Sequence, residues 1–258
     1  MKVTLIGAGN VGYHLGQRLF NRKIKVRQVY SRSEKNAITL ANGIKAKPTS
    51  NLSKIDSSSD IYIIAVKDDV IAKVAEQLAK NKSLAKKIIV HTSGSVSSKI
   101  LANHFKNYGV FYPLQSFIKG QHVYFKNIPI CIYAKKEKSQ KRLEKLGNII
   151  SKEVRIITDQ ERAVIHVAAV VVNNFTNHLL HIGAKICEKE GLDFNILKPL
   201  IQETIEKTLR ASPYDMQTGP ARRGDQQTIQ RHTKYLEKFP EYQSLYISLS
   251  KSITNTYS

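Results

Sequence analysis

The chain has 258 residues and a formal net charge of +21, from 41 Lys+Arg against 20 Asp+Glu. That length accommodates two domains of ordinary size, and 41% hydrophobic residues suit a globular chain. The two cysteines, Cys131 and Cys187, stand far apart and form no CxxC pair, which points to neither a disulfide framework nor a metal site and fits a reducing cytoplasm.

The elements alternate through the first half of the chain. Val3–Ile6 reads as a strand, Val11–Phe20 as a helix, Val26–Tyr30 as a strand and Glu34–Ala41 as a helix. Ile61–Val66 is an apolar run, Val70–Ala79 has helical spacing, and Ile88–Val90 and Val110–Tyr112 are further short strands. Continuous apolar runs between helices indicate parallel strands covered on both faces, so the pattern predicts an α/β, Rossmann-like, doubly wound and mainly parallel sheet. A strand Ile128–Tyr133, a helix Lys138–Ile150 and a strand Val154–Ile157 close it. From Asp159, read as a helix cap, the pattern is all-α: a long helix to about Glu190, then Phe194–Arg210, Gln226–Lys238 and Pro240 onward. The expected domains are therefore 1–158 and 159–258.

The positive charges fall in short groups such as Arg22-Lys23, Lys86-Lys87 and Lys141-Arg142, with no basic arm, zinc-finger spacing or RNP-like motif. A solvated lysine coat is expected rather than a nucleic-acid surface. The N-terminal apolar run is too short for a signal peptide, and Val167–Val172 stops at Asn173-Asn174, too soon to span a bilayer. A cytoplasmic protein without a membrane partner is expected.

Gly7-Ala8-Gly9-Asn10-Val11-Gly12 follows the first strand and opens the first helix, the context in which GxGxxG holds a dinucleotide. Gly7 permits the tight turn, Gly9 the approach of a pyrophosphate, and Gly12 close packing of helix on strand. The free N–H groups at Asn10 and Val11 then face phosphate charge. About twenty residues on, NAD-binding domains place an acid for the ribose 2′-OH; here stand Ser31, Arg32 and Ser33. Two hydroxyls and a guanidinium suit a 2′-phosphate, so NADP(H) is the expected cofactor. Ala65 and Val66 would pass beneath the cofactor ribose, and Thr92, Ser93 and Gly94 would lie near the nicotinamide. Asp68 is read as a helix cap.

The helix after Asp159 is apolar on most faces and is expected to be buried. His166, Asn173 and Asn177 recur along it at spacings of seven and four, a polar stripe that either faces a ligand or forms a helix contact, with His166 the candidate proton donor or acceptor and Asn173 its partner. Asn174, His178 and His181 lie on the adjacent stripe. Gln115 sits in a polar loop after a strand, and Arg222 and Arg223, in a turn spanning 217–225, suit a carboxylate or phosphate. Gln115, Asn177, Arg222 and Arg223 are the candidate substrate contacts. A salt bridge to Asp215 or Asp225 is the other reading of the two arginines.

The glycine loop, His91–Ser95, Tyr112–Phe117, Asn173–His178 and Thr218–Asp225 together resemble a bacterial family of NADP-binding oxidoreductases with a Rossmann-like N-terminal domain and a helical C-terminal domain of unknown function. The family is similar to pyrroline-5-carboxylate reductase and to the 6-phosphogluconate and 3-hydroxyacid dehydrogenases. The resemblance implies a C-terminal domain like that of 6-phosphogluconate dehydrogenase, a homodimer formed through it, and a substrate held in the interdomain cleft. The hydroxyacid dehydrogenases bring a catalytic lysine on the long helix; here no lysine stands between Lys152 and Lys185, and His166 occupies that region. The expected activity is hydride transfer to or from a small, anionic C=O or C=N compound. The alternative is a non-catalytic NADP(H) sensor.

Overall fold

The computed structural model describes residues 1–258 and resolves two compact units, Met1–Val170 and Val171–Ser258. The first is built on an eight-stranded sheet: β1 (Lys2–Ile6), β2 (Lys25–Tyr30), β3 (Lys47–Thr49), β4 (Ile61–Ile64), β5 (Ile88–His91), β6 (Tyr108–Pro113), β7 (Ile130–Ala134) and β8 (Val154–Ile156). Their order is β3-β2-β1-β4-β5-β6-β7-β8, and every pairing is parallel except β6 with β7. The chain winds outward from β1 in one direction and from β4 in the other. Adjacent connections therefore diverge at the C-terminal ends of β1 and β4, which opens a crevice there.

The helices of this unit are α1 (Asn10–Asn21), α2 (Glu34–Gly43), α3 (Ile71–Ala79), α4 (Glu137–Ile150) and α5 (Asp159–Ala169). Strand periodicity sorts the core into two layers. Val3, Leu5, Ile61 and Ile63 pack with Leu15 and Leu19 of α1, Leu40 of α2 and Leu146 of α4. Ile6, Tyr62, Ile64 and Ile89 pack with Ile71, Val74 and Leu78 of α3. The expected α/β architecture is present. The sequence reading passed over β3, whose central residue is Pro48; its place at the sheet edge is where a strand tolerates proline.

The second unit is helical: α6 (Thr176–Lys189), α7 (Lys198–Arg210), α8 (Pro220–Arg223), α9 (Gln226–Tyr235) and α10 (Pro240–Tyr257). A π-helical segment, Val170–Phe175, joins α5 to α6 in one helix of 31 residues, Asp159–Lys189. Two expectations are corrected here. The division between the units falls after Val170 rather than at residue 158, because polar contacts described below tie the first turns of α5 to the sheet unit. The long helix is not buried within one chain: Val164 is 70% exposed, and Val167, Val172 and Phe175 are also exposed. By length and composition alone this helix is also long and apolar enough to cross a membrane, with a mean hydropathy of 1.3 over its most apolar window; this does not overturn the reading of Val167–Val172 as too short a run to span. Only Ile182, Ala221 and Leu236 are buried apolar residues in the second unit.

Candidate functional site

The glycine loop sits at the crevice. Gly7 has φ +126° and donates its N–H to Tyr30 O at 2.8 Å. A Cβ on Gly7 would lie 2.1 Å from Ala65 O, and one on Gly12 would lie 2.1 Å from Gly7 O. Those two contacts press loop, helix and β4 together. A Cβ on Gly9 would meet nothing within 4 Å. α1 starts at this open space with no side-chain cap, so its first N–H groups have no protein acceptor. These features fit the pyrophosphate of a dinucleotide. The Asn10 amide oxygen accepts from Lys119 N at 3.2 Å, tying the β6–β7 loop to the glycine loop.

At the end of β2, Arg32 is exposed and has no hydrogen bond or ion pair, so its guanidinium is available to a 2′-phosphate. Ser31 donates its N–H to Thr49 O. The Ser33 hydroxyl caps α2 by accepting from Asn36 N at 3.4 Å.

At the ends of β4 and β5, Ala65 is buried and Val66 half-buried beside Gly7. Thr92 and Ser93 are buried. Asp68 is not a helix cap: α3 begins only at Ile71, after a 3₁₀ turn, and the Asp68 carboxylate accepts from Ser93 Oγ at 2.8 Å and Ser95 Oγ at 2.6 Å. Ser93 Oγ in turn accepts from the N–H groups of Ser95 and Val96. That hydroxyl therefore shapes its own loop. His91 is fully buried, accepts from Ser93 N at Nδ1, and has no partner at Nε2. Burial, reinforced by the Arg162 charge, pushes its pKa down to about 4, so it is neutral.

α5 is docked on the β5–β6 connection by a partly buried network centred on Arg162. Its N-cap is Thr158, in a capping box with Glu161, rather than Asp159. Asp159, one position into the helix, is thereby free to face the loop. Its Oδ2 accepts from Ser97 Oγ at 2.6 Å and from Ser98 N at 2.8 Å, and its Oδ1 accepts from Arg162 Nη1 at 2.7 Å. Arg162, 1% exposed, also donates from Nη2 to Val96 O at 2.5 Å. Burial alone would raise the Asp159 pKa, but hydrogen bonds from Ser97 and Arg162 outweigh it and hold the carboxyl below its usual range.

One turn after Arg162, this docking brings His166 over Gly94 and against Tyr112. The Tyr112 hydroxyl is 3.1 Å from His166 Nδ1. A Cβ on Gly94 would lie 2.4 Å from that nitrogen and 2.9 Å from Tyr112 Cζ, so only glycine admits the pair. Burial pushes the Tyr112 phenol up to about 12, so it stays protonated and is able to donate to His166 Nδ1. In the tautomer that accepts this bond, Nε2 carries a proton that can be offered to a ligand oxygen or nitrogen.

The remaining candidates are placed differently. Asn173 lies within the π turn and Asn177 just after it, both in the helical unit; the π turn holds more residues than an α turn and breaks the uniform spacing behind the polar stripe. Asn173 donates to Asn174 Oδ1 at 3.5 Å, and Asn177 is exposed. Gln115 is exposed and accepts from Ser116 N. Residues 220–223 form the short helix α8 rather than a turn. Arg222 is committed within its unit, lying 4.3 Å over the Tyr257 ring and donating to Tyr257 O at 3.1 Å. Arg223 is exposed without an ion pair, and Asp225 caps α9 through Thr228 N. Tyr112, Arg162 and the clamping role of Asp68 were not foreseen as parts of a site.

A family model described as "NADP oxidoreductase coenzyme F420-dependent" matches residues 2–94, and a domain of unknown function, DUF2520, matches residues 128–253. No curated protein sequence matches the chain. Among solved structures, a Bacteroides fragilis protein named as an NADP oxidoreductase is 35% identical, with 98% of each chain covered and a TM-score of 0.93. An imine reductase from Myxococcus stipitatus in complex with NADP+ is 14% identical, with 99% of this chain and 92% of that one covered and a TM-score of 0.68. A pyrroline-5-carboxylate reductase from Coxiella burnetii is also 14% identical, covers 99% and 96%, and has a TM-score of 0.60. These last two likenesses are of fold.

Proposed function

The chain belongs to the NADP oxidoreductase family represented by its Bacteroides fragilis relative, and from that premise we propose that it is a cytoplasmic NADP(H)-dependent reductase of small C=N or C=O compounds. The observation that carries this reading is the Tyr112–His166 pair, packed on Gly94 at the same end of the parallel strands as the glycine loop. NADPH, when bound, supplies hydride. Arg32 would hold the 2′-phosphate, the uncapped start of α1 the pyrophosphate. His166 Nε2 would give its proton to the substrate nitrogen or oxygen as the neighbouring carbon receives hydride, with the Tyr112 hydroxyl holding Nδ1. Arg223, unpaired, is the remaining arginine for an acidic group on the substrate. Gln115, Asn173 and Asn177 stay candidate contacts.

Two measurements test this. In calorimetric titration, Arg32→Ala is expected to weaken NADPH binding about tenfold or more while leaving NADH nearly unchanged, as the loss of a charge-assisted phosphate contact requires. Equal losses for both nucleotides would reject the 2′-phosphate role. With a panel of cyclic imines and oxo acids, His166→Ala should lower turnover about 100-fold or more, the usual weight of a proton donor, with NADPH affinity preserved. Unchanged turnover would remove His166 from the chemistry. Tight NADPH binding with no turnover on the whole panel would support the sensor alternative.

The helical unit supports a homodimer. Three buried apolar side chains cannot sustain 88 residues, and Ile196, Leu200 and Leu209 of the same unit all stand exposed. A second copy of the same unit would cover them. Light scattering at micromolar concentration is expected to give twice the chain mass; a monomer there would refute it.

A further inference from the structure

Between the second half of α1, the β6–β7 loop and the end of α4 lies a cavity of about 790 Å³. The glycine loop is at the opposite end of α1. We propose that this cavity binds a small ligand carrying two or more phosphate groups.

Four cations line it, Arg18, Arg22, Lys126 and Lys152, and no acidic residue does. None of the four makes an ion pair, whereas other basic side chains find acids, as Lys141 does with Glu137 and Arg210 with Glu206. A charge of +21 spreads cations over any surface, but here they converge in a concavity and are held there. Arg18 Nε donates to Ile150 O at 2.8 Å and Arg22 Nε to Ile149 O at 2.7 Å. Each guanidinium is thereby fixed at the end of α4, with both Nη groups free of any protein acceptor. Lys126 and Lys152 are brought together by a backbone bond from Lys152 N to Lys126 O at 2.8 Å, and Ser151 Oγ bonds the same carbonyl. Burial and the neighbouring Arg22 charge lower the Arg18 pKa, a like-charge conflict that an anion would relieve. Two preset forks and two ammonium groups match phosphate oxygens in charge and geometry. The volume is in the range of small-ligand sites, about 300–1,000 Å³. Tyr124, 62% exposed at the rim, offers a flat face to a nucleobase.

The test is calorimetric titration of NADPH-saturated protein with tripolyphosphate and with ATP at 150 mM salt, so that the dinucleotide site is already filled. Both are expected to bind, and Lys126→Gln/Lys152→Gln, which removes no side-chain hydrogen bond of the fold, should weaken them about tenfold or more, as should Arg22→Gln. Affinity for ATP well above that for tripolyphosphate identifies a nucleotide; equal affinities identify a site for phosphate groups alone. Absence of binding by the wild type, or binding that neither variant alters, overturns the proposal. So does displacement of tripolyphosphate by a 20-base oligonucleotide with steep salt dependence, which makes the surface a nucleic-acid groove.

Discussion

Arg162→Leu is expected to lower stability by about 3–5 kcal/mol in urea melts at pH 7, the range for breaking a buried ion pair from one side. The substitution strips the Asp159 carboxylate of its charge partner and leaves Val96 O without the guanidinium that serves it. It also removes a fully buried side chain. The pH dependence should change with it. The folded-state pKa of Asp159 is held below its ordinary 3.8. Its contribution is therefore fully present above that value and is lost as pH falls through the folded pKa. The variant has less of this contribution, so its stability should fall less steeply below pH 3.8. Asp159→Asn/Arg162→Leu should recover part of the loss, because the uncompensated charge is gone. A change under 1 kcal/mol, with parallel acid limbs, would mean that the network does not dock α5.

Gly12→Ala is expected to reduce NADPH affinity by about 100-fold or more, equivalent to roughly 2.7 kcal/mol. The added methyl would stand 2.1 Å from Gly7 O and 2.9 Å from Gly7 C. Both are backbone atoms, so no side chain can swing aside, and α1 must move off the loop that it positions. Gly9→Ala makes the control. Its methyl would enter open space, so thermal unfolding should be unchanged while NADPH binding weakens through exclusion of the phosphates. The two variants separate strain from occupancy. Wild-type affinity in both would reject the loop as the cofactor cradle.

The glycine loop was legible because its requirements are local: three glycines, a strand before them and a helix after. Arg32 could be singled out by the same kind of local rule, at a fixed distance along the chain, and its role awaits the nucleotide titration. The Tyr112–His166 pair was not, although both segments had been singled out. Their meeting joins positions 54 apart in the chain and depends on the docking of α5, which a turn of helix cannot announce. Asp159 and Arg162 show an i,i+3 pairing in the sequence, yet the Ser97 and Ser98 contacts that hold it lie 62 and 61 residues away. Asp68 was misread because a carboxylate before a helix is usually a cap; the competing demand was two serine hydroxyls on the next strand's loop. The polar stripe assumed one uniform helix, and the π turn has no signature in hydrophobic periodicity. Pro48 hid β3 by obeying an edge-strand rule rather than the general one.

The scarcity of buried apolar side chains in the helical unit has a consequence for life inside a cell. If that unit is completed by its twin, its folding is bimolecular, and stability follows mass action. The melting temperature should rise with protein concentration. Newly made chains at low abundance would linger with Ile196 and Leu209 bare, open to proteolysis, until a second copy arrived. Expression level would then act as a switch on survival of the protein, set by encounter rate rather than by any ligand.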